Sequence, residues 1–137
     1  MLLSDCLSVN AAGHLAIGGC DTVELAAQYG TPLYVMDETA IRSALRSYKA
    51  SLDENYENGG MVAFASKACS FKELYRIVMD EGCGADVVSG GELYTAMQVG
   101  FPAERLYFHG NNKSVAELRM ALEYGVGRIV VDNLGEL

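Results

Sequence analysis

Lys67 is the residue whose type and position most directly predict chemistry. It ends an apolar run of six residues, Met61 to Ser66, and a helix-start signal follows within three residues. A run this short, preceded by Gly59-Gly60, is typical of a strand buried on both faces of a sheet. Catalytic groups of parallel α/β sheets lie at the C-terminal ends of the strands, so Lys67 is a candidate catalytic amine. On position alone, the first solvated residue after a core strand explains it equally well.

Two further candidate residues belong to later apolar runs. Asp86 lies in the run Ala85 to Val88, and His109 directly follows Leu106-Tyr107-Phe108. A histidine at a strand end can contact a cofactor or a substrate, and a packed or solvated turn histidine explains this position about as well. An ordinary strand-start or loop carboxylate is the alternative explanation for Asp86.

A helix-start pattern follows each of these runs. In a capping box, Ser-x-x-Glu, the serine accepts from the N3 amide and the glutamate reaches back to the cap amide. The pattern occurs at Ser70/Glu73, Ser89/Glu92 and Ser114/Glu117, and a weaker form occurs at Asn133/Glu136. Capping explains Ser89 and Glu92 completely, so we expect a structural role for both before a catalytic one.

Alternating strands and helices predict the fold class. The units of about twenty residues indicate βαβαβαβ and therefore a parallel sheet with right-handed crossovers. A doubly wound nucleotide-binding sheet would carry G-x-G-x-x-G after its first strand, where this chain has Ala65-Ser66-Lys67-Ala68. We therefore predict an α/β fold, an incomplete (β/α)₈ TIM barrel with about four parallel strands. A barrel takes about 250 residues, so the chain is expected to be a fragment of a longer one.

Two regions are predicted from the order of elements. Residues 1–36 should hold a short helix, capped by Asp21 or Thr22 and ended by Gly30, and then an extended strand from Leu33 to Met36. Asp37 should cap a long helix at the start of residues 37–137, the first half of the barrel. The apolar face of that helix is predicted to be buried and carries Ile41, Ala44, Leu45, Tyr48 and Leu52.

Composition excludes several function classes. The net charge is −8 and no run of Lys or Arg occurs, so neither nucleic acid nor an anionic membrane is an expected partner. The chain has no apolar stretch of membrane-spanning length and no export signal at its start, so a cytoplasmic protein is predicted. The four cysteines are too scattered for a zinc site or a disulfide scaffold, and no metal is expected; they are Cys6, Cys20, Cys69 and Cys83.

Four segments resemble one family, the pyridoxal-phosphate decarboxylases of the alanine-racemase-type barrel. Their form is that of the diaminopimelate branch rather than the ornithine branch. Together they cover roughly residues 30–137, and they depart from the family pattern in Phe64-Ala65-Ser66, where Tyr-Ala-Val/Phe is commoner before the lysine. The segments are Thr31 to Val35, Phe64 to Ala68, Gly84 to Leu93 and His109 to Ser114.

The resemblance implies pyridoxal 5′-phosphate as cofactor and gives roles to three residues. Lys67 would be the Schiff-base lysine, Asp86 would lie near it, and His109 would contact the cofactor. Desolvation at an apolar strand end would disfavour the charged form of Lys67 and favour the free amine. The implied activity is decarboxylation of meso-diaminopimelate to L-lysine. The alternatives are an ornithine, arginine or carboxynorspermidine decarboxylase of the same fold, or a non-catalytic homologue that binds the cofactor.

The resemblance also implies parts that these residues do not supply. The family's phosphate-binding loop would lie beyond Leu137, residues 1–36 would belong to a β-rich second domain, and the site would be completed in a homodimer. We therefore expect the 137 residues alone to be inactive and to bind the cofactor weakly. Lys113 could pair with a phosphate or a carboxylate, but a solvated lysine before a helix is the favoured interpretation.

Overall fold

The computed structural model describes residues 4–137, which separate into two compact units. The first unit ends at Ala44, and the second is Leu45–Leu137. Within the described residues, no helix has both the length and the apolar character needed to cross a membrane.

The first unit contains a small antiparallel sheet and a short helix. Strands β1 (Leu7–Val9), β2 (Leu15–Ile17) and β3 (Cys20–Asp21) pair in sequence order, and helix α1 (Thr22–Tyr29) follows. Asp21 caps the helix, since its Oδ1 accepts from the amides of Val23 at 2.7 Å and Glu24 at 3.2 Å. Gly30 ends the helix at φ 80°, a backbone region that favours glycine. The predicted helix and both of its ends are confirmed.

The predicted strand from Leu33 to Met36 is wrong. This stretch pairs with no strand among the described residues, and Tyr34 is 98% exposed. A β-rich composition does not suffice here, because a strand also needs a neighbouring edge to pair with. Asp37 then accepts from the amide of Ala40 at 2.9 Å and starts helix α2 (Glu38–Asn55), as predicted. The buried face predicted for α2 is mostly wrong, since Leu45 is its one buried residue.

The second unit is built from repeating strand–helix pairs. Its parallel sheet has the order β4-β5-β6-β7, with each strand next to its neighbour in sequence. This arrangement confirms the predicted βαβαβαβ order and agrees with an incomplete barrel. The strands are β4 (Ala63–Ala65), β5 (Gly84–Val87), β6 (Leu106–Phe108) and β7 (Arg128–Ile129), and the helices between them are α3 (Lys72–Asp80), α4 (Gly90–Gln98) and α5 (Val115–Tyr124).

Strand register brings the candidate residues to one edge of this sheet. Ala65 pairs with Asp86, and Val87 pairs with Phe108. Lys67 follows Ala65 by two residues and His109 follows Phe108 directly, so all three candidates lie at the C-terminal ends of the strands. We call this end the upper edge and the N-terminal ends of the strands the lower edge.

The core of the second unit fills the space between sheet and helices. Tyr75 and Phe101 meet edge to face with ring centroids 6.0 Å apart, and the Tyr75 hydroxyl donates to the carbonyl of Glu92 at 3.2 Å. Burial of these apolar side chains is the main stabilising contribution to such a unit. The fully buried members include Tyr75, Val78, Val87, Leu93, Phe101, Leu106 and Phe108.

The helix caps follow the predicted motif at two of its three serine positions. Ser114 and Glu117 form the complete capping box at the start of α5. Ser89 also caps α4, by accepting from the amide of Glu92 at 3.3 Å. The Glu92 carboxylate reaches one residue farther back than the motif requires and accepts from the amide of Val88 at 2.8 Å. Capping therefore accounts for Ser89 and Glu92, as expected.

The cap predicted at Ser70 and Glu73 is wrong. Helix α3 starts one residue later, with Phe71 at the cap position and no side-chain hydrogen bond there. The Ser70 hydroxyl lies 3.3 Å from the Tyr75 hydroxyl instead. A single-turn 3₁₀ helix, Ser66–Ala68, occupies the start of this connection and shifts the point at which α3 begins.

Candidate active site

Lys67 lies in the 3₁₀ turn that directly follows β4. Ser66 beside it is fully buried, and its hydroxyl donates to the carbonyl of Asp86 at 2.8 Å. This bond fixes the turn against β5 and leaves Lys67 exposed, with no hydrogen-bond or ion-pair partner among residues 4–137. The desolvation expected at this position is therefore not supplied by the described residues. Ser66 was not among the predicted site residues, and the one sequence signal for it is a hydroxyl in an apolar run.

Asp86 and His109 form a pair on adjacent strands. His109 Nε2 lies 2.8 Å from Asp86 Oδ2, and the His109 amide donates to the carbonyl of Val87 at 3.0 Å. The second carboxylate oxygen, Asp86 Oδ1, is buried and has no hydrogen-bond partner within residues 4–137. A buried acceptor without a donor is destabilising, and such atoms are rare enough that each needs an explanation. A bound molecule that donates to Oδ1 would provide one.

A cavity of about 370 Å³ opens at the upper edge between these groups. It brings Lys67 and His109 to one space, with Asp86 Oδ2 lying 2.8 Å from the histidine Nε2. Its size is in the range of small-molecule sites. The lining residues are Lys67, Val88, His109, Gly110, Asn111, Val130 and Asp132.

The interpretation of Lys113 as a solvated lysine is wrong. Its side chain has 0% exposure. The ammonium donates to the carbonyl of Gly110, to the carbonyl of Val130 at 3.0 Å and to Glu136 Oε2 at 3.0 Å. Since an ammonium has three donors, none is left for a phosphate. The carboxylate that pairs with Lys113 is the side chain of Glu136 and not a group of a bound ligand.

Glu117 connects the starts of two helices at the upper edge. One of its carboxylate oxygens accepts from the amide of Ser114 at 2.8 Å, and the other accepts from the amide of Gly90 at 2.7 Å. These backbone hydrogen bonds lower the pKa of Glu117, because they favour the charged carboxylate. The cap of α5 therefore also satisfies the first amide of α4.

No cluster of three or more His, Cys, Asp or Glu side chains suited to a metal ion is found in residues 4–137. All four cysteines there are free thiols.

Comparison with known proteins identifies the family. A family model described as the pyridoxal binding domain of the pyridoxal-dependent decarboxylases matches residues 38–137. The chain belongs to this family. Within it, the diaminopimelate decarboxylase of Bacillus methanolicus is 56% identical over 129 residues, which cover 94% of this chain and 30% of that protein.

Solved structures of decarboxylases have the same fold over these residues. Diaminopimelate decarboxylase of M. jannaschii, solved with L-lysine, matches with a TM-score of 0.86 and 36% identity over 99% of this chain and 32% of its own. Lysine/ornithine decarboxylase of Vibrio vulnificus, solved with putrescine, matches with a TM-score of 0.73 and 30% identity over 84% of this chain and 31% of its own. The chain thus spans about 30% of the length of the curated relatives it matches.

The upper edge fits the aldehyde end of pyridoxal phosphate. Attachment of an aldehyde requires an amine that no carboxylate holds, and Lys67 is without a partner in the described residues. A bound cofactor or substrate also carries donors that could satisfy Asp86 Oδ1. The family's cofactor, pyridoxal phosphate, therefore matches the groups found here.

Proposed function

We propose that the protein containing this chain is a pyridoxal-phosphate-dependent decarboxylase that converts meso-diaminopimelate to L-lysine and CO₂. One observation carries the proposal: an unpartnered lysine at a strand end shares a cavity with a histidine that pairs with a carboxylate. Membership of the pyridoxal-dependent decarboxylase family supports it.

Three residues have distinct roles in this proposal. Lys67 Nζ would hold the cofactor covalently through its aldehyde. Asp86 holds the imidazole of His109 by the 2.8 Å bond and offers Oδ1 to a proton donor of the bound molecule. Bound pyridoxal phosphate supplies the electron sink for the electron pair that stays on carbon when CO₂ leaves. His109 borders the cavity and orients what binds there.

The substrate is proposed from the relatives. The curated relatives are diaminopimelate decarboxylases, and the M. jannaschii enzyme was solved with L-lysine, the product proposed here. An ornithine-type substrate has weaker support, because the lysine/ornithine decarboxylase is 30% identical to the chain, whereas curated diaminopimelate decarboxylases are 53% and 56% identical. We further propose a cytoplasmic enzyme that acts as a homodimer.

Reductive trapping tests the anchor. The protein, expressed from its own gene, is incubated with excess pyridoxal phosphate and borohydride, and the modified lysine is located by mass spectrometry of peptides. We expect a stable secondary amine on Lys67, lost in Lys67→Ala. Lys72→Ala is the matched control, since Lys72 is an exposed lysine at the start of α3, and it should leave the yield unchanged. Modification spread evenly over the lysines would contradict the proposal.

Release of CO₂ tests the reaction and its substrate. meso-Diaminopimelate, L-ornithine and L-arginine are compared as carboxyl-labelled substrates. We expect release from meso-diaminopimelate alone. Release from L-ornithine would favour the second substrate class, and trapping at Lys67 without release from any amino acid would indicate a non-catalytic cofactor-binding protein.

A further inference from the structure

The loop between β6 and α5 forms one wall of the cavity, and a buried side chain on the other side of the loop binds its backbone. We call residues 109–112 the His109 loop. Gly110 and Asn111 line the cavity together with His109. Gly110 has φ 122°, a conformation that glycine adopts readily and other residues rarely. Glycine also loses the most conformational freedom on folding, so this loop needs contacts that define its position.

Lys113 supplies those contacts. Its ammonium donates to the carbonyl of Gly110 inside the loop and to the carbonyl of Val130 after β7. Val130 is itself fixed, since its amide donates to the carbonyl of Phe108 at 2.8 Å. One side chain thus connects the loop to the end of the neighbouring strand.

Glu136 completes the arrangement. Its carboxylate lies 3.0 Å from Lys113 Nζ and also accepts from the amide of Asp132, which borders the cavity, at 3.1 Å. The Asp132 amide and then Lys113 lower the pKa of Glu136, so its carboxylate is charged at neutral pH. The side-chain exposures of 0% for Lys113 and 8% for Glu136 place the pair away from solvent.

A gain in folding stability does not by itself explain why Lys113 and Glu136 form a buried ion pair. Removing two charges from water costs about as much as, or more than, their attraction returns, so buried pairs often add little net stability. What the pair does provide is a defined geometry, because all three ammonium donors are matched to fixed acceptors.

We propose that Lys113 and Glu136 are positioning residues that hold the His109 loop in place to receive the cofactor. Neither side chain lines the cavity, so they act through His109 and Gly110. The part of this proposal that concerns the cofactor rests on the proposed function. The part that concerns the loop can be measured on the protein without any cofactor.

The test compares three variants of the protein. Lys113→Met removes the three donors and leaves Glu136 unpaired. The double variant K113M/E136Q removes both charges and so relieves the unpaired carboxylate. Arg105→Met is the matched control, because Arg105 also donates to two backbone carbonyls, those of Met79 and Cys83, but does so at the lower edge.

Two readouts separate positioning from stability. Nitrogen-detected NMR follows the His109 ring, assigned as the signal that is lost in His109→Gln, with His14 as a second histidine of the same chain for reference. Borohydride trapping at Lys67 follows the cofactor. We expect both Lys113 variants to shift the His109 signal and to slow trapping by about tenfold to a hundredfold, the range for small misplacements at a site. We expect Arg105→Met to lower thermal stability and change neither readout.

Each outcome decides the proposal. If K113M/E136Q regains stability while the His109 signal stays shifted and trapping stays slow, positioning is supported. If both readouts return to normal with stability, or never change, the pair has no positioning role. If the unmodified protein is not trapped at Lys67, the proposed function fails, and the NMR signal still decides whether the pair holds the loop.

Discussion

The two edges of the parallel sheet differ in how their polar groups are satisfied. At the upper edge, Lys67 has no partner within residues 4–137 and Asp86 Oδ1 has no donor there. At the lower edge, Arg105 donates to two backbone carbonyls and its guanidinium lies 5.5 Å from the ring centre of Phe101. The Tyr124 hydroxyl there donates to the Phe101 carbonyl at 2.6 Å. The upper edge therefore has hydrogen-bonding groups left for a ligand, whereas these groups at the lower edge form hydrogen bonds within the fold.

The lower edge is also closely packed against backbone. A Cβ added at Gly127 would lie 2.3 Å from the carbonyl oxygen of Glu104, and one added at Gly84 would lie 2.6 Å from that of Arg105. By contrast, a Cβ added at Gly91, in the first turn of α4, has its nearest neighbour 3.9 Å away. Substitutions at the lower edge should therefore change stability, and substitutions of the unpartnered groups at the upper edge should change function.

Gly127→Ala should have the largest effect on stability. The clashing atoms belong to backbone and cannot rotate away, so the chain must shift, at a cost of about 3 kcal/mol in the free energy of unfolding. Urea denaturation measures it. Gly91→Ala is the control and should cause no loss, because its added methyl group meets only ordinary contacts. If the two substitutions lowered the free energy of unfolding equally, the lower edge would not be more tightly packed than the upper edge.

Arg105→Met should have the next largest effect. It removes the guanidinium donor from the carbonyls of Cys83 and Met79, of which Met79 keeps the amide of Gly82, and it removes the contact with the Phe101 ring, a loss of about 1–2 kcal/mol. Thermal unfolding measures this loss, with Arg119→Met on the exposed surface of α5 as control. If Arg105→Met also slowed trapping at Lys67, the lower edge would share in the function of the upper one.

Glu117→Gln should lower the free energy of unfolding by an amount that depends on pH, because it removes the carboxylate that caps two helices at the upper edge. The lowered pKa means that Glu117 stabilises the fold above the ordinary value of 4.5, and that this contribution is lost as pH falls through the lowered pKa. At pH 7 the substitution should cost about 1 kcal/mol, as for other helix caps. The difference from the unmodified protein should shrink in acid.

Denaturation at a series of pH values measures that difference. Glu123→Gln is the control, because Glu123 is an exposed residue of the same helix and has no hydrogen-bond partner in the described part of the chain. A constant difference across pH would contradict the role of the Glu117 carboxylate.

Lys67→Ala should have the smallest effect on stability and the largest on function. An exposed side chain without a partner contributes within about 0.5 kcal/mol to folding, so the unfolding midpoint should barely change. Cofactor trapping should be lost in the same variant. A large loss of stability would mean that Lys67 is part of the fold.

The sequence predicts the features of this fold that arise locally. Short apolar runs with amphipathic helices between them predict all four parallel strands, and the parallel order alone brings Lys67, Asp86 and His109 to one edge. The capping motif is less dependable. It forms fully at Ser114 and does not form at Ser70, where a preceding 3₁₀ turn moves the cap position of α3 to Phe71.

Contacts between distant residues could not be predicted in the same way. Lys113 resembles a surface lysine until Val130 and Glu136 are known to lie around it, 17 and 23 positions later. The pairing of His109 with Asp86 likewise depends on two strands being neighbours. Leu33 to Met36 has the composition of a strand and pairs with no strand edge among residues 4–137. The catalytic and cofactor-binding roles of Lys67, Asp86 and His109 stay predictions.

The bond from Gly90 to Glu117 has a consequence for synthesis on the ribosome. Chains emerge and fold from the N-terminus, so α4 is made before the carboxylate that satisfies its first amide, which lies 27 residues downstream. Lys113 likewise cannot form its ion pair until Glu136 has been synthesised. The units that contain α4 and α5 therefore leave the ribosome with polar groups at their upper ends unsatisfied, and residues later in the chain satisfy them.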